Sequence, residues 1–307
     1  MSSANVRVPA KINLCLGVGP VRSDGFHPLA TVYQAVDLHD EVRATAREDD
    51  EITIAVHSDL DVRGTDEVAF VPENDDNLAV RAARLLRERT GITAGVDLAI
   101  RKVIPVAGGM AGGSADAAAA LVACNEAWGT GLTRSALEVL AAKLGSDVPF
   151  LLHGGNAIGG GRGESVSPVL ARGSYHWVFA MAHDGLSTRA VFTEFDRLNR
   201  GRSVPAPEVP DALLSALRAG DAAALGDALS NDLTEAALSL RPELEDTLSI
   251  GRQAGALGAI LSGSGPTALF LAASEQHSLD IAFALSSAAG CADVVQSRGP
   301  VPGARLS

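Results

Sequence analysis

The chain has 307 residues, 47% of them hydrophobic and 20% charged, which excludes a disordered polypeptide and allows one large or two ordinary domains. Its net charge of −12 is concentrated between Asp37 and Asp76, where 14 acidic residues stand against Arg43, Arg47 and Arg63; a polyanionic partner needs a basic surface, so nucleic acid is excluded. No apolar run approaches the roughly 18 residues that span a bilayer and MSSANVRVPAKIN lacks a signal-peptide core. Cys15, Cys124 and Cys291 are too widely spaced for a disulfide framework or a zinc site, so a cytoplasmic protein with reduced, buried thiols is expected.

From Val6 to Val18 the residues alternate, with Val6, Val8, Ala10, Ile12, Leu14, Leu16 and Val18 on one face and Arg7, Lys11, Asn13 and Cys15 on the other. Lys11 and Asn13 therefore share one face of an N-terminal strand. Lysine is rare in a chain whose usual cation is arginine, so Lys11 and Lys102 are informative as compact, rotatable ammonium groups, whereas Lys143 lies in a helical pattern and reads as surface. The stretch SDGFHP from Ser23 is a loop, in which Phe26 and His27 either pack locally or form a stacking platform and hydrogen-bonding partner for a nucleobase. VDLHDEVRAT and EITIAV read as strands, Asn77 to Thr90 as a helix stopped by Gly91, and VDLAIRKVI as the next strand.

Between Ile104 and Leu121 the sequence IPVAGGMAGGSADAAAAL runs from a glycine loop into an alanine-rich helix expected over Ser114 to Trp128, with Ser114 and Asp116 at the junction. Gly108, Gly109, Gly112 and Gly113 allow the backbone to turn successive N–H groups toward one anion, and the helix N-terminus adds unpaired amides and a partial positive charge. The loop is a candidate cradle for nucleotide phosphates, the alternative being a tight turn capped by Ser114. No Gly-Lys pair, H-R-D or D-F-G occurs, which excludes a Walker loop and a protein kinase, and the G-x-G-x-x-A match at Gly263 lacks the acidic residue a dinucleotide fold requires. A further helix over Arg134 to Leu144 stops at Gly145. Asp147, just before Pro149, is either the cap of the next turn or a general base that would pair with Lys11 at a phosphoryl-transfer centre. The histidines form no H-E-x-x-H cluster, so no protein-ligated metal is expected. RLNRGRSVPAPEVP is a connector, helices dominate from Asp211 to Ala254, and GAIL and TALFL flank Gly263 and Gly265 in a turn that either closes a strand pair or approaches a ligand. The pattern is α+β, in two domains over residues 1–165 and 166–307 with a ligand cleft between them.

PAKINLCLGV from Pro9, the run Pro105 to Ala115 and LSGSGPTALF from Leu261 stand in an order that resembles the GHMP kinase superfamily, which includes galactokinase, homoserine kinase and mevalonate kinase. DGFHPL, DNLAVRAARLL and KLGSDVPFLL make the chain most similar to the branch that phosphorylates the 2-hydroxyl of a CDP-linked polyol in the non-mevalonate isoprenoid pathway. The resemblance implies the two-domain GHMP fold, ATP with Mg²⁺, a small-molecule substrate in the cleft, no membrane, and room for a homodimer. By position it puts Lys11 and Asp147 on the catalytic pair and Asn13, Phe26, His27 and Phe192 on the substrate, the last as a second aromatic around cytosine. It puts Asn77 and Lys102 near adenine and ribose, and Pro105, Val106, Ala107, Gly108, Gly109, Met110, Ala111, Gly112, Gly113, Ser114 and Ala115 on the ATP loop. Phe26 replaces a usual tyrosine, and Ala111 and Ala115 a commoner glycine and serine. A homoserine or mevalonate kinase, or a catalytically silent relative, are the alternatives.

Overall fold

In the computed structural model, which describes residues 2–58, 71–106, 108–161, 163–288 and 290–307, the expected N-terminal alternation forms strand β1 (Ser3–Val18). It pairs antiparallel along its length with β2 (Leu29–Ala46), and the register shifts between Pro9 and Ala10 and between Asn13 and Cys15. Such bulges re-aim side chains, and these two bracket Lys11 and Asn13. Of the polar face of β1, Lys11, Asn13 and Cys15 are buried, and a turn some 250 residues later in the chain lies over Lys11 and Asn13.

The chain continues through β3 (Ile52–Ser58), α1 (Leu78–Thr90), β4 (Val96–Lys102), α2 (Gly112–Ala127), α3 (Arg134–Leu144), α4 (Val148–His153), β5 (Asn156–Gly160) and β6 (Ser165–Pro168). Strands β1, β2, β4 and β3 lie side by side, with β5 pairing with the first part of β2 and β6 with β5. Helix α2 packs on β1 and β2 and against α1, α3 and α4. Ala117, Ala118, Ala119 and Ala120 are fully buried, and side chains this small let a helix surrounded by neighbours approach its sheet closely. The helix begins at Gly112, two residues before the position expected from Ser114, because Ala111 closes the loop in the left-handed region (φ 61°). Ser114 is thus inside the first turn and caps nothing. At Gly91 the α1 cap is left-handed as expected, whereas Gly145 ends α3 in extended backbone.

The remaining elements are β7 (Tyr175–Met181), α5 (Thr188–Leu198), α6 (Asp211–Ala219), α7 (Ala222–Ala228), β8 (Ser230–Asn231), α8 (Thr234–Leu240), α9 (Glu243–Gln253), β9 (Gly258–Leu261), β10 (Ala268–Ala272), α10 (Glu275–Leu285), β11 (Asp293–Gly299) and β12 (Arg305–Leu306). The second sheet runs β11-β7-β10-β9, antiparallel throughout. The two halves interlock. β12 and β8 return to pair with β1, and residues 165 and 166 both lie in β6, which belongs to the first sheet. Buried Gln34 of β2 joins the sheets, accepting from Trp177 Nε1 at 2.7 Å and donating to Asn156 Oδ1 at 2.8 Å. Cys15 and Cys124 are buried as expected, but Cys291 is only half-buried. Among the described residues no helix is long and apolar enough to cross a membrane.

Contact between α9 and β10 requires a glycine. A Cβ on Gly251 would sit 2.1 Å from Phe270 Cε1, and the Phe270 ring is fully buried. Gly251→Ala is expected to destabilise the protein by about 2 kcal/mol or more despite alanine's better helix propensity. A lower urea midpoint checks this; an unchanged midpoint would mean that the interface has slack.

Candidate active site

Lys11 stands where the two halves meet. Its Nζ donates to Asn13 Oδ1 at 2.8 Å and to Gly109 O at 2.9 Å, and lies 4.0 Å from Asp147 Oδ2. Asn13 donates to Thr31 Oγ1 at 2.8 Å, which in turn donates to Cys15 O at 2.6 Å, so adjacent strands hold the pair. Burial pulls the Lys11 ammonium below its usual range, and the charge of Asp147 opposes that fall. Asp147 occupies the position before α4, yet its carboxylate caps no backbone amide and its side chain is 28% exposed. Of the two roles the sequence allowed, capping is the one the geometry does not support.

Sequence reasoning missed Tyr33, the buried neighbour of this pair on β2. Burial, the charge of Asp147 and a hydrogen bond to its carboxylate hold the Tyr33 phenol neutral, well above its usual range. The ring lies 5.9 Å from Lys11 Nζ and 5.0 Å from the Phe150 ring. The available signal was periodicity, since Thr31 and Tyr33 share a face of β2 as Lys11 and Asn13 share one of β1.

The two glycine loops touch over Lys11. Ser262 Oγ donates to Gly109 O at 3.1 Å, a Cβ on Gly109 would lie 2.1 Å from Ser262 O, and one on Gly263 would lie 3.5 Å from Lys11 Nζ. Asn231 Nδ2 fixes the second loop by donating to Leu261 O at 2.9 Å and Gly263 O at 2.7 Å, a role for which the sequence carries no signal. The β9–β10 turn therefore both closes a strand pair and lines the site.

Within the first loop, Met110 and Ala115 turn fully buried side chains inward, and the Ala115 amide is engaged by Ala111 O. A Cβ on Gly113 would meet nothing closer than Leu78 Cδ1 at 3.8 Å, so the first turn of α2 has open space beside its unpaired amides, the arrangement an anionic ligand needs. Ala107 lies outside the described residues. Asn77 is buried and committed to capping: Oδ1 accepts from Ala79 N at 2.8 Å and Nδ2 donates to Pro72 O at 2.7 Å. Lys102 is 1% exposed and sits beneath the loop, between Asp40 and Asp116. Among the described residues no group of three or more His, Cys, Asp or Glu is placed to hold a metal ion.

At the far end of β1, His27 Nδ1 donates to Gly19 O at 2.8 Å, and because a carbonyl can only accept, Nδ1 carries the proton and Nε2 faces Asp196 Oδ1 at 3.5 Å. The His27 ring packs at 5.2 Å from Phe192 and 5.8 Å, edge-on, from Phe195. Phe26 is 50% exposed beside them. Phe195 and Asp196 also line a cavity of about 570 Å³ together with Pro20 and Val21. His27 and Phe192 are thus brought together, with Phe195 and Asp196 added by α5.

Residues 77–155 match the GHMP kinases N terminal domain and residues 213–290 the GHMP kinases C terminal domain. A protein of Thermobifida fusca (strain YX) named 4-diphosphocytidyl-2-C-methyl-D-erythritol kinase is 56% identical over 99% of this chain and 98% of its own length. A crystal structure of 4-(cytidine 5'-diphospho)-2C-methyl-D-erythritol kinase superposes with a TM-score of 0.74 at 31% identity, covering 95% of this chain and 98% of that one. A homoserine kinase from Cytophaga hutchinsonii shares the fold at a TM-score of 0.75 and 19% identity, over 100% of this chain and 98% of that one. With both halves of its fold matched and its sequence aligned from end to end, the chain belongs to the GHMP kinase family.

Proposed function

We propose that this ATP-dependent small-molecule kinase phosphorylates the tertiary 2-hydroxyl of 4-diphosphocytidyl-2-C-methyl-D-erythritol in the non-mevalonate isoprenoid pathway. The observation that carries the chemistry is the 4.0 Å approach of Lys11 Nζ to Asp147 Oδ2 where two glycine loops converge. The names of relatives more than 50% identical over nearly their whole length support the acceptor. In this reading residues 1–165 carry the nucleotide site and residues 166–307 the facing wall of the cleft, and the enzyme works in the cytoplasm.

ATP supplies the γ-phosphoryl group, with Mg²⁺ arriving on its phosphates. The backbone from Gly108 to Ser114 cradles those phosphates, backed by Pro105, Val106, Met110 and Ala115, while Asn77 and Lys102 support the loop from behind. Asp147 accepts the proton of the attacking hydroxyl and Lys11 neutralises charge on the oxygens in flight. Two unit charges at about 4 Å attract by ~1 kcal/mol in water and ~4 kcal/mol at a surface-like dielectric, enough to orient both groups. Asn13 positions the acceptor, and Phe26, His27 and Phe192 grip the cytosine.

A homoserine or mevalonate kinase has no use for the aromatic-histidine loop. ADP release should therefore be measured with Mg-ATP and, in turn, the CDP-linked polyol, mevalonate and homoserine. Only the first is expected to turn over well, since a site built to hydrogen-bond a base rejects acceptors that leave its groups unpaired, often by ~10⁴-fold. Phe26→Ala is expected to raise KM for that substrate about tenfold or more while leaving KM for ATP unchanged, since stacking is worth ~1–3 kcal/mol. Comparable turnover of mevalonate or homoserine, or indifference to Phe26→Ala, would remove the cytidine assignment and leave a kinase of the same family.

A further inference from the structure

Two carboxylates share one ammonium beneath the first turn of α2. Lys102 Nζ donates to Asp116 Oδ2 at 2.8 Å and to Asp40 Oδ2, and all three side chains are at most 3% exposed. The carboxylates are not equivalent. Asp40 accepts also from the amides of Val103 at 2.6 Å and Ile104 at 2.8 Å, so its charge is well satisfied, whereas Asp116 has Lys102 as donor and its Oδ1 has no partner. Both carboxylates ionised would leave a net negative charge buried under the loop, and burying unpaired charge is costly.

Asp116 is the fifth residue of α2, about 6 Å along the axis from Gly112, and Lys102 Nζ lies 3.1 Å from where a Gly112 Cβ would be. The charges acting on Asp116 are Lys102 from β4 and Asp40 from β2; β1, α1, α3, α4 and β12 with its exposed Arg305, which also pack on α2, add none among the described residues. Burial, against the pull of Lys102 and reinforced by Asp40, lifts the Asp116 carboxyl to about 7, while Lys102 remains protonated because Asp116 and Asp40 outweigh its burial.

We propose that nucleotide binding at this loop raises the proton occupancy of Asp116 by uptake from solvent, so that the charge cluster under the cradle shifts from net negative toward neutral as the phosphates arrive. The inference rests on the reading that the glycine loop holds ATP phosphates. Negative charge brought to the N-terminus of α2 disfavours the ionised carboxylate, and a further rise of about one pH unit is expected. Protonation removes the buried charge that Oδ1, which has no partner, leaves unsatisfied. Asp116 thereby acts as a positioning residue: it sets the field and the packing under the cradle without touching ATP.

Titration calorimetry of the intact protein with Mg-ATP alone, in buffers of different ionisation enthalpy, measures the proton directly. At pH 7.5 an uptake of about 0.5 proton per ATP is expected, fading by pH 9.5, where both states are ionised. In Asp116→Asn, which keeps the shape and the contact with Lys102 but takes up no proton, this uptake should vanish. ATP affinity, which in the parent weakens about tenfold between pH 6 and 9.5, should stay flat in the variant apart from changes common to both. A residue with only a structural role would change the melting temperature without changing the dependence on buffer. Tight ATP binding with buffer-independent heat at pH 7.5, or the same uptake in Asp116→Asn, would overturn the proposal while leaving the ATP site intact. Absence of ATP binding to the parent protein would instead remove the loop reading on which it rests.

Discussion

Gly109→Ala is expected to cut kcat/KM by at least ~10²-fold in a protein that still folds. Gly109 holds φ at +78°, and an added Cβ would lie 2.1 Å from Ser262 O and 3.3 Å from Gly265 O, so backbone would have to move. Its carbonyl is also the shared acceptor for Lys11 Nζ and Ser262 Oγ. Displacing one loop from the other therefore shifts the lysine that faces Asp147, and misplacement by about 1 Å costs on the order of 10²-fold. ATP affinity should fall with turnover. Gly113→Ala is the steric contrast, since a Cβ there meets only Leu78 Cδ1 at 3.8 Å, and its melting temperature should equal or exceed that of the parent. Normal kinetics for Gly109→Ala would show that the two loops need not touch for catalysis.

Asp147→Asn is expected to lower kcat by ~10²-fold to 10⁴-fold with ATP binding retained, because an amide of the same shape cannot accept the acceptor's proton. Little stability should be lost, since the carboxylate caps no amide of α4. The substitution also removes the charge that opposes the fall of Lys11's pKa, so Lys11 should lose its proton at a lower pH than in the parent. Steady-state kinetics beside a thermal melt separate the two roles. A lower melting temperature with near-normal turnover would return Asp147 to a structural part.

Much of this site is local pattern and was legible as such. Alternation put Lys11 and Asn13 on one face of β1, and glycine spacing followed by an alanine run marked the cradle, because strand period and helix nucleation act over a few residues. What depended on distant segments was not legible. What lies over Lys11 and Asn13 is set by the distant β9–β10 turn, and β12 carries too few residues to signal a strand that closes on β1. The resemblance set Lys102 near the nucleotide, and its buried partners Asp40 and Asp116 lie 62 and 14 positions away, beyond the reach of local pattern. The start of α2 was misplaced by two residues because alanine is a poor choice for a left-handed position, and Ala111 adopts one. Asp147 kept two readings because a residue before a proline turn fits a cap as well as a base, and the geometry of its carboxylate separates them.

The central claim is transfer from ATP to a tertiary hydroxyl, and proton-coupled phosphorus NMR of the product formed from Mg-ATP and the CDP-linked polyol tests it most directly. Carbon 2 of the polyol bears no hydrogen, so its phosphate monoester should give a singlet, accompanied by the resonances of ADP. A triplet or doublet would place the phosphate on a primary or secondary hydroxyl and contradict the assignment of Lys11 and Asp147 to the 2-hydroxyl, and absence of a new monoester would contradict the kinase reading for this substrate.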